Sequence, residues 1–187
     1  MIGSGELRRG TTLEIDGSLY QVVEVNHIKT KKSAVYRTKL RDLRAGHITE
    51  RTFNAGEKVA PARVERRQMQ YLYGQDDLHT FMNTETYDQV AVEARVIARE
   101  LPYLKEGAIV QLLLFGDEPL ALELPAAVEL TITESDPGIR GDTATGATKP
   151  ATMETGLVVQ VPLFINPGDR VKVSTESGHY LERIQSA

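Results

Sequence analysis

HIKTKKSAVYRTKL, residues 27–40, is the stretch whose reading decides the fold. It holds Lys29, Lys31, Lys32, Arg37 and Lys39 and no acid. Outward positions alternate at strand period, His27 and Lys29 before the centre and Val35, Arg37 and Lys39 after it. The centre itself is short and polar, Thr30-Lys31-Lys32-Ser33. This pattern predicts two strands joined at a tight tip. A hairpin with cations at its tip carries positive charge beyond the body of its domain, which suits contact with RNA phosphate or a tRNA end.

Working outward, Leu13-Glu14-Ile15 and the run 19–23 flank Asp16-Gly17-Ser18, a hairpin signal built on Asp-Gly. On the other side Arg44-Ala45-Gly46-His47 turns into a β segment over 48–53. Five short β segments in this first third predict a small closed barrel, with a boundary at Ala60-Pro61-Ala62. From residue 63 the pattern is again β: 68–73, 78–82, a polar stretch 84–92, 108–115 and 120–124. Residues 93–101 carry Val96, Ile97 and Leu101 near helical spacing and predict one short helix stopped by Pro102. Strands interrupted by a single helix suggest an oligonucleotide-binding (OB) barrel. After Pro125, segments at 128–133, 157–161, 170–173 and 180–181, with a long Gly/Thr loop over 138–146, predict a second barrel of that size. The expected fold is all-β, three small β-barrel domains in series over 1–62, 63–126 and 127–187. No linker is long or low in complexity, so a fixed arrangement is expected.

Charge separates the first module from the others. Residues 1–67 hold fourteen Lys and Arg against eight Asp and Glu, a surplus of six, and the remainder is short by ten, which gives the net −4. A basic end on an acidic body is the footprint of a protein that presents one end to a polyanion. No apolar run reaches the roughly 20 residues of a membrane span. The first ten residues lack the apolar core of a secretory signal, and with zero Cys a cytoplasmic protein is expected. Phosphate-loop, dinucleotide, zinc-protease and EF-hand patterns are missing. His27, His47, His79 and His179 are too scattered for a metal site. Glu134, Asp136 and Asp142 read as a polar loop edge rather than an acid/base set. Aromatics are 6% with no Trp, and Tyr20, Tyr36 and Phe53 sit at core-facing strand spacing. Binding should therefore depend on phosphate contact and shape rather than base stacking, and should weaken with salt.

Four stretches carry a family resemblance: RDLRAGHITERTFNAGEK (41–58), RRQMQYLY (66–73), FMNTETYDQ (81–89) and PGIRGDTATGATKPATMETGLVVQVPLFINPGD (137–169). Together they resemble the bacterial elongation factor P family, along residues 6–183. The resemblance implies a KOW-like SH3-type barrel followed by two OB-fold barrels, in an L shape like tRNA. It implies a monomeric translation elongation factor that binds the 70S ribosome between the peptidyl and exit sites. There it would contact peptidyl-tRNA and stimulate peptide-bond formation, relieving stalling at consecutive prolines. The family is not enzymatic, so no catalytic residue, metal or cofactor is expected, and no membrane.

The hairpin tip then becomes the contact to the tRNA CCA end. Family members with a functional lysine commonly read Lys-Pro-Gly-Lys-Gly, whereas this chain reads Lys29-Thr30-Lys31-Lys32-Ser33. Counting forward from His27 places the functional lysine at Lys32, the preferred residue; counting back from Arg37-Thr38-Lys39 places it at Lys31. Some members extend this lysine by post-translational modification, which would add a modifying enzyme to the partners. Lys29, Arg37, Lys39 and Arg41 are expected to bind RNA. By the same resemblance Gly141, Asp142, Thr143, Thr145 and Gly146 approach the small subunit and the mRNA at the exit site. Tyr180 and Arg183 are expected to contact tRNA or the small subunit.

Overall fold

Alternating sequence becomes β-sheet. The computed structural model describes residues 1–138 and 146–185, and holds three sheets and, among those residues, no α-helix. By packing, the chain divides into two units, Met1–Arg67 with Leu112–Ala121, and Gln68–Gln111 with Leu122–Ala187.

The first sheet contains six strands: β1 (Ile2–Gly3), β2 (Thr12–Ile15), β3 (Ser18–Lys29), β4 (Ala34–Asp42), β5 (Ile48–Asn54) and β6 (Lys58–Pro61), in the order β1-β6-β2-β3-β4-β5. Two of these, β1 and β6, lie outside the expected segments, and the expected segment 19–23 and the first arm of the hairpin join as one strand, β3. The boundary expected at Ala60-Pro61-Ala62 overlaps the end of β6, which pairs with β1 and β2 through Ile2↔Val59 and Leu13↔Pro61. The Asp-Gly signal is borne out: Asp16 and Gly17 both adopt positive φ, 51° and 78°, as the tight turn between β2 and β3 requires. Ser4 brings the start of the chain to the end of β5, its N–H donating to the Glu57 carbonyl and its hydroxyl to that of Asn54, both at 2.8 Å. Leu7, Leu13, Val22, Leu40 and Phe53 fill the enclosed core, with Tyr20 and Tyr36 packed at its margin.

Polar groups fix the turns of this unit. The Asp42 carboxylate accepts the Arg44 and Ala45 backbone N–H groups, each at 2.8 Å, and closes the turn between β4 and β5. Burial pushes this carboxyl up, but the two N–H donors and nearby cationic side chains outweigh it and hold it below the usual range. Arg44 joins three turns at once. Its guanidinium grips both oxygens of Glu118 at 2.8 and 3.0 Å and donates to the Gly17 carbonyl at 3.0 Å. Close to these turns, Leu19, Ala62, Leu113 and Leu120 form a small apolar cluster.

The middle sheet is ordered β11-β10-β7-β8-β9, from β7 (Glu65–Gln75), β8 (Leu78–Asn83), β9 (Gln89–Glu93), β10 (Ile109–Phe115) and β11 (Glu118–Glu123). The helix expected over 93–101 does not form. Two 3-10 turns, Ala94–Val96 and Leu101–Tyr103, stand there instead. A nine-residue segment ending at proline and containing adjacent β-branched Val96 and Ile97 is a poor helix nucleus. Burial of Ile97, completely enclosed, anchors the turns.

The third sheet, β14-β13-β12-β15-β16, is built from β12 (Ala127–Ser135), β13 (Thr148–Met153), β14 (Val158–Pro162), β15 (Arg170–Ser174) and β16 (Tyr180–Ile184). Leu130, Ile132, Met153, Val161, Ile165 and Val171 are among its core residues. Lys149 shares the inward side of β13 with Ala151 and Met153, and its ammonium donates to the Asp136 carbonyl at 2.7 Å.

Asp42→Ala should destabilise the protein by about 2 kcal/mol, because two turn N–H groups lose a charged acceptor. In the native protein the lowered carboxyl adds stability that is complete above its unfolded value. That stability is lost as pH falls through the folded one, below about pH 4. Urea melts of both proteins between neutral and acid pH should therefore converge as the carboxyl protonates.

Candidate nucleic-acid interface

β3 and β4 continue to pair where burial falls away, with Tyr36 at the margin of the core. Below the tip, Val25 faces the buried Thr38. Beyond it the ladder runs through Asn26↔Arg37, His27↔Tyr36, Ile28↔Val35 and Lys29↔Ala34, and none of these residues is buried. Four pairs at strand rise extend the hairpin by about 13 Å. β5 supports it along nearly all of that length. Arg37 pairs with Thr52, Tyr36 with Phe53 and Val35 with Asn54, and the Ala55 N–H donates to the Ala34 carbonyl at 2.9 Å. The finger is thus three-stranded almost to its end, and only the tip stands clear.

Its aromatic pair follows from the register. His27 and Tyr36 stack across the strands with ring centroids 4.5 Å apart and an interplanar angle of 12°. The Tyr36 hydroxyl lies over Gly5, where a Cβ would approach it to 3.2 Å. The sequence could not pair His27 with Tyr36 without knowing the register, although both lie in the stretch that predicts the hairpin.

Alternation along β4 sends Arg37, Lys39 and Arg41 outward while Thr38, Leu40 and Asp42 turn in. The cations do not share one environment. Lys39 lies between Glu24 and Glu50 in the ladder and forms an ion pair with Glu24 at 2.9 Å. The hydrogen bond between them raises the Lys39 pKa and lowers that of Glu24. Lys29, Lys31, Lys32, Arg37 and Arg41 have no ion pair among the described residues. Arg37 faces Asn26 and Thr52 across the sheet, and Arg41 faces Gln21 and Ile48. Five cations thus remain without an ion pair, but they do not share one face. Arg37 and Arg41 are on the outer face, while the register puts Lys29 and His27, expected to point outward with them, on the side of Ala34 and Tyr36. The sixth expected contact, Lys39, is paired with Glu24.

At the tip, Lys31 and Lys32 are exposed and bond to no other described group. Thr30 and Ser33, which the sequence offered only as a polar centre, bond to each other through backbone and side chain. Hydroxyl residues three apart at a turn were the available signal.

The remaining expected residues lie elsewhere. Gly141, Asp142, Thr143 and Thr145 fall outside the described residues; Gly146, exposed at φ 94°, leads into β13. Tyr180 packs against the third core, and burial raises its phenol. Arg183 pairs with Asp169 at 2.9 Å. Among the described residues there is no group of three or more His, Cys, Asp or Glu suited to a metal.

With the geometry in hand, comparison with known proteins places each part. Three family models match: the elongation factor P (EF-P) KOW-like domain over residues 4–59, the elongation factor P (EF-P) OB domain over 64–122, and elongation factor P, C-terminal, over 128–183. The chain is 49% identical over 185 residues to elongation factor P of Pelotomaculum thermopropionicum and 45% identical to that of Caldanaerobacter subterraneus subsp. tengcongensis. Each alignment covers 98% of this chain and 100% of the relative. Among solved structures, eukaryotic translation initiation factor 5A from Methanococcus jannaschii matches with a TM-score of 0.52 and 21% identity, over 66% of this chain and 90% of that one. That last likeness is one of fold.

Tyr36→Ala should lower stability by about 2 kcal/mol, since it removes the cross-strand stack and part of the core margin. Tyr36→Phe should change it by only tenths of that. Amide exchange of residues 28–35 should accelerate in the alanine variant alone, which denaturant melts and exchange mass spectrometry can check.

Proposed function

The chain belongs to the elongation factor P family, a family of translation factors, and from that premise we propose that it speeds peptide-bond formation on the 70S ribosome by steadying the end of the peptidyl-tRNA. The observation that carries this reading is the pair of unpartnered ammonium groups, Lys31 and Lys32, at the end of a three-stranded finger. Lys29, Arg37 and Arg41 supply phosphate contacts along the approach, so the finger is held by charge and register rather than by base stacking.

The chemistry asked of the protein is positional. Proline is a poor nucleophile and a stiff donor, and two such residues in succession make the reactive geometry of the two tRNA ends improbable. A cation held against ribose or phosphate at the CCA end restricts that end, converting part of an entropic barrier into binding made elsewhere on the factor. The ribosome makes the bond. The factor contributes no nucleophile, base or cofactor, and it acts as a cytoplasmic monomer between the peptidyl and exit sites. In the same reading Gly141, Asp142, Thr143, Thr145 and Gly146 meet the small subunit and the exit-site mRNA. Tyr180 and Arg183 lie on the strand facing tRNA or the small subunit. A modifying enzyme would act on Lys32 or Lys31, and the intact mass of tip peptides from the native source reads which.

Two measurements test this. Replacing Lys31 and Lys32 together by Ala should slow synthesis through consecutive prolines by about tenfold, equivalent to about 1.4 kcal/mol, and leave proline-free synthesis and the melting curve unchanged. Equal rates on both messages would reject the tip's role, and tight binding to bare oligonucleotides without a ribosome would favour a general single-strand binder. Glu24→Gln should release Lys39 to the RNA. The log of ribosome affinity should then fall more steeply with log salt, by about one unit of slope.

A further inference from the structure

The turn at the end of the finger has a geometry that its backbone alone does not explain. Lys29↔Ala34 is the last ladder pair, which leaves Thr30 to Ser33 to reverse the chain. Two-residue hairpin turns that match the twist of their strands place one or both central residues at positive φ, usually on Gly, Asn or Asp. Here the central residues are Lys31 and Lys32, and neither adopts positive φ. The Thr30 N–H donates to the Ser33 carbonyl at 2.8 Å, while the Ser33 N–H turns to the Thr30 hydroxyl oxygen at 3.2 Å. The side chain has taken the place of a backbone acceptor.

That hydroxyl is fully used. A threonine hydroxyl offers one donor and two acceptor positions. Its hydrogen is given to the Ser33 carbonyl at 2.8 Å. Its lone pairs face the Ser33 N–H and the Ser33 hydroxyl, both at 3.2 Å. All of its bonds end on one residue, on the far side of the two lysines. We propose that Thr30 is a positioning residue: its hydroxyl, locked to Ser33, fixes the direction in which Lys31 and Lys32 leave the finger. The inference deepens the reading given above and rests on it, because a fixed direction matters only if those ammonium groups meet RNA.

Loss of the lock has a definite consequence. Without it the four-residue turn samples several conformations, and the lysines must be ordered at the moment of use. Binding of the whole factor draws on many contacts and changes little. The cost falls on the step in which the tip acts, so the maximal rate drops while the half-saturating factor concentration stays.

The test uses the full-length protein on programmed ribosomes, with rates through consecutive prolines measured as a function of factor concentration. Thr30→Val keeps the shape and removes the hydroxyl; it should lower the maximal rate about fivefold, with the half-saturating concentration within about twofold. Thr30→Ser should restore the native rate, and Ser33→Ala, which loses one of the contacts, should fall between. The Ser33 amide should exchange faster in Thr30→Val only, with the melting temperature unchanged. A Thr30→Val protein as fast as the native one overturns the inference, and so does a Thr30→Ser protein as slow as Thr30→Val. The Lys31→Ala, Lys32→Ala double variant in the same assay separates the two claims. If it is slow while Thr30→Val is not, the lock alone is wrong; if it too is at the native rate, the role of the tip falls as well.

Discussion

Backbone pairing that outlasts side-chain burial is the constraint on which this molecule depends. A strand segment with no core beneath it is ordinarily unstable, because its side chains bury too little to offset the entropy of ordering. β3 and β4 avoid this by sharing β5 as a third strand, so the ladder from Asn26↔Arg37 to Lys29↔Ala34 has a partner on one side along its length. The His27–Tyr36 stack adds a ring contact across the two strands, and Gly5 leaves room for the phenol beneath. Rigidity at the base is what lets charge at the end have a position.

Electrostatics then separates structural charges from available ones. Arg44 is committed three times over, to both oxygens of Glu118 and to Gly17, and Asp42 to the turn amides beside it. Lys39 is held by Glu24. The cations left without an ion pair on β3, β4 and their tip are Lys29, Lys31, Lys32, Arg37 and Arg41. Exposed ion pairs such as Lys39–Glu24 add little stability in water. Their larger effect here is to remove one charge from the set that a polyanion would meet.

Much of this was legible in the chain. Period-two alternation, the Asp-Gly turn and the acid-free stretch 27–40 gave the hairpin, the all-β class and the basic end, because each is a local rule acting over a few residues. The errors have local causes as well. The strand at 58–61 does not show in the pattern because Gly56 and Pro61 bracket it. It lies between β1 and β2, and Pro61 is tolerated as its last residue, opposite Leu13 and past the two-residue β1. Residues 93–101 showed helical spacing, but their apolar side chains serve separate 3-10 turns around the enclosed Ile97.

The sequence by itself determined which residues carry charge, where strands alternate and that the cations gather before residue 68, since composition and periodicity are properties of the chain alone. Tertiary structure decided which of those cations are spent on carboxylates, which aromatic meets which across the ladder, and that the Thr30 hydroxyl bonds wholly to Ser33. Such pairings depend on register and on the turn's backbone angles. Both are fixed only when strands dock against a common core, and a linear pattern does not contain that docking.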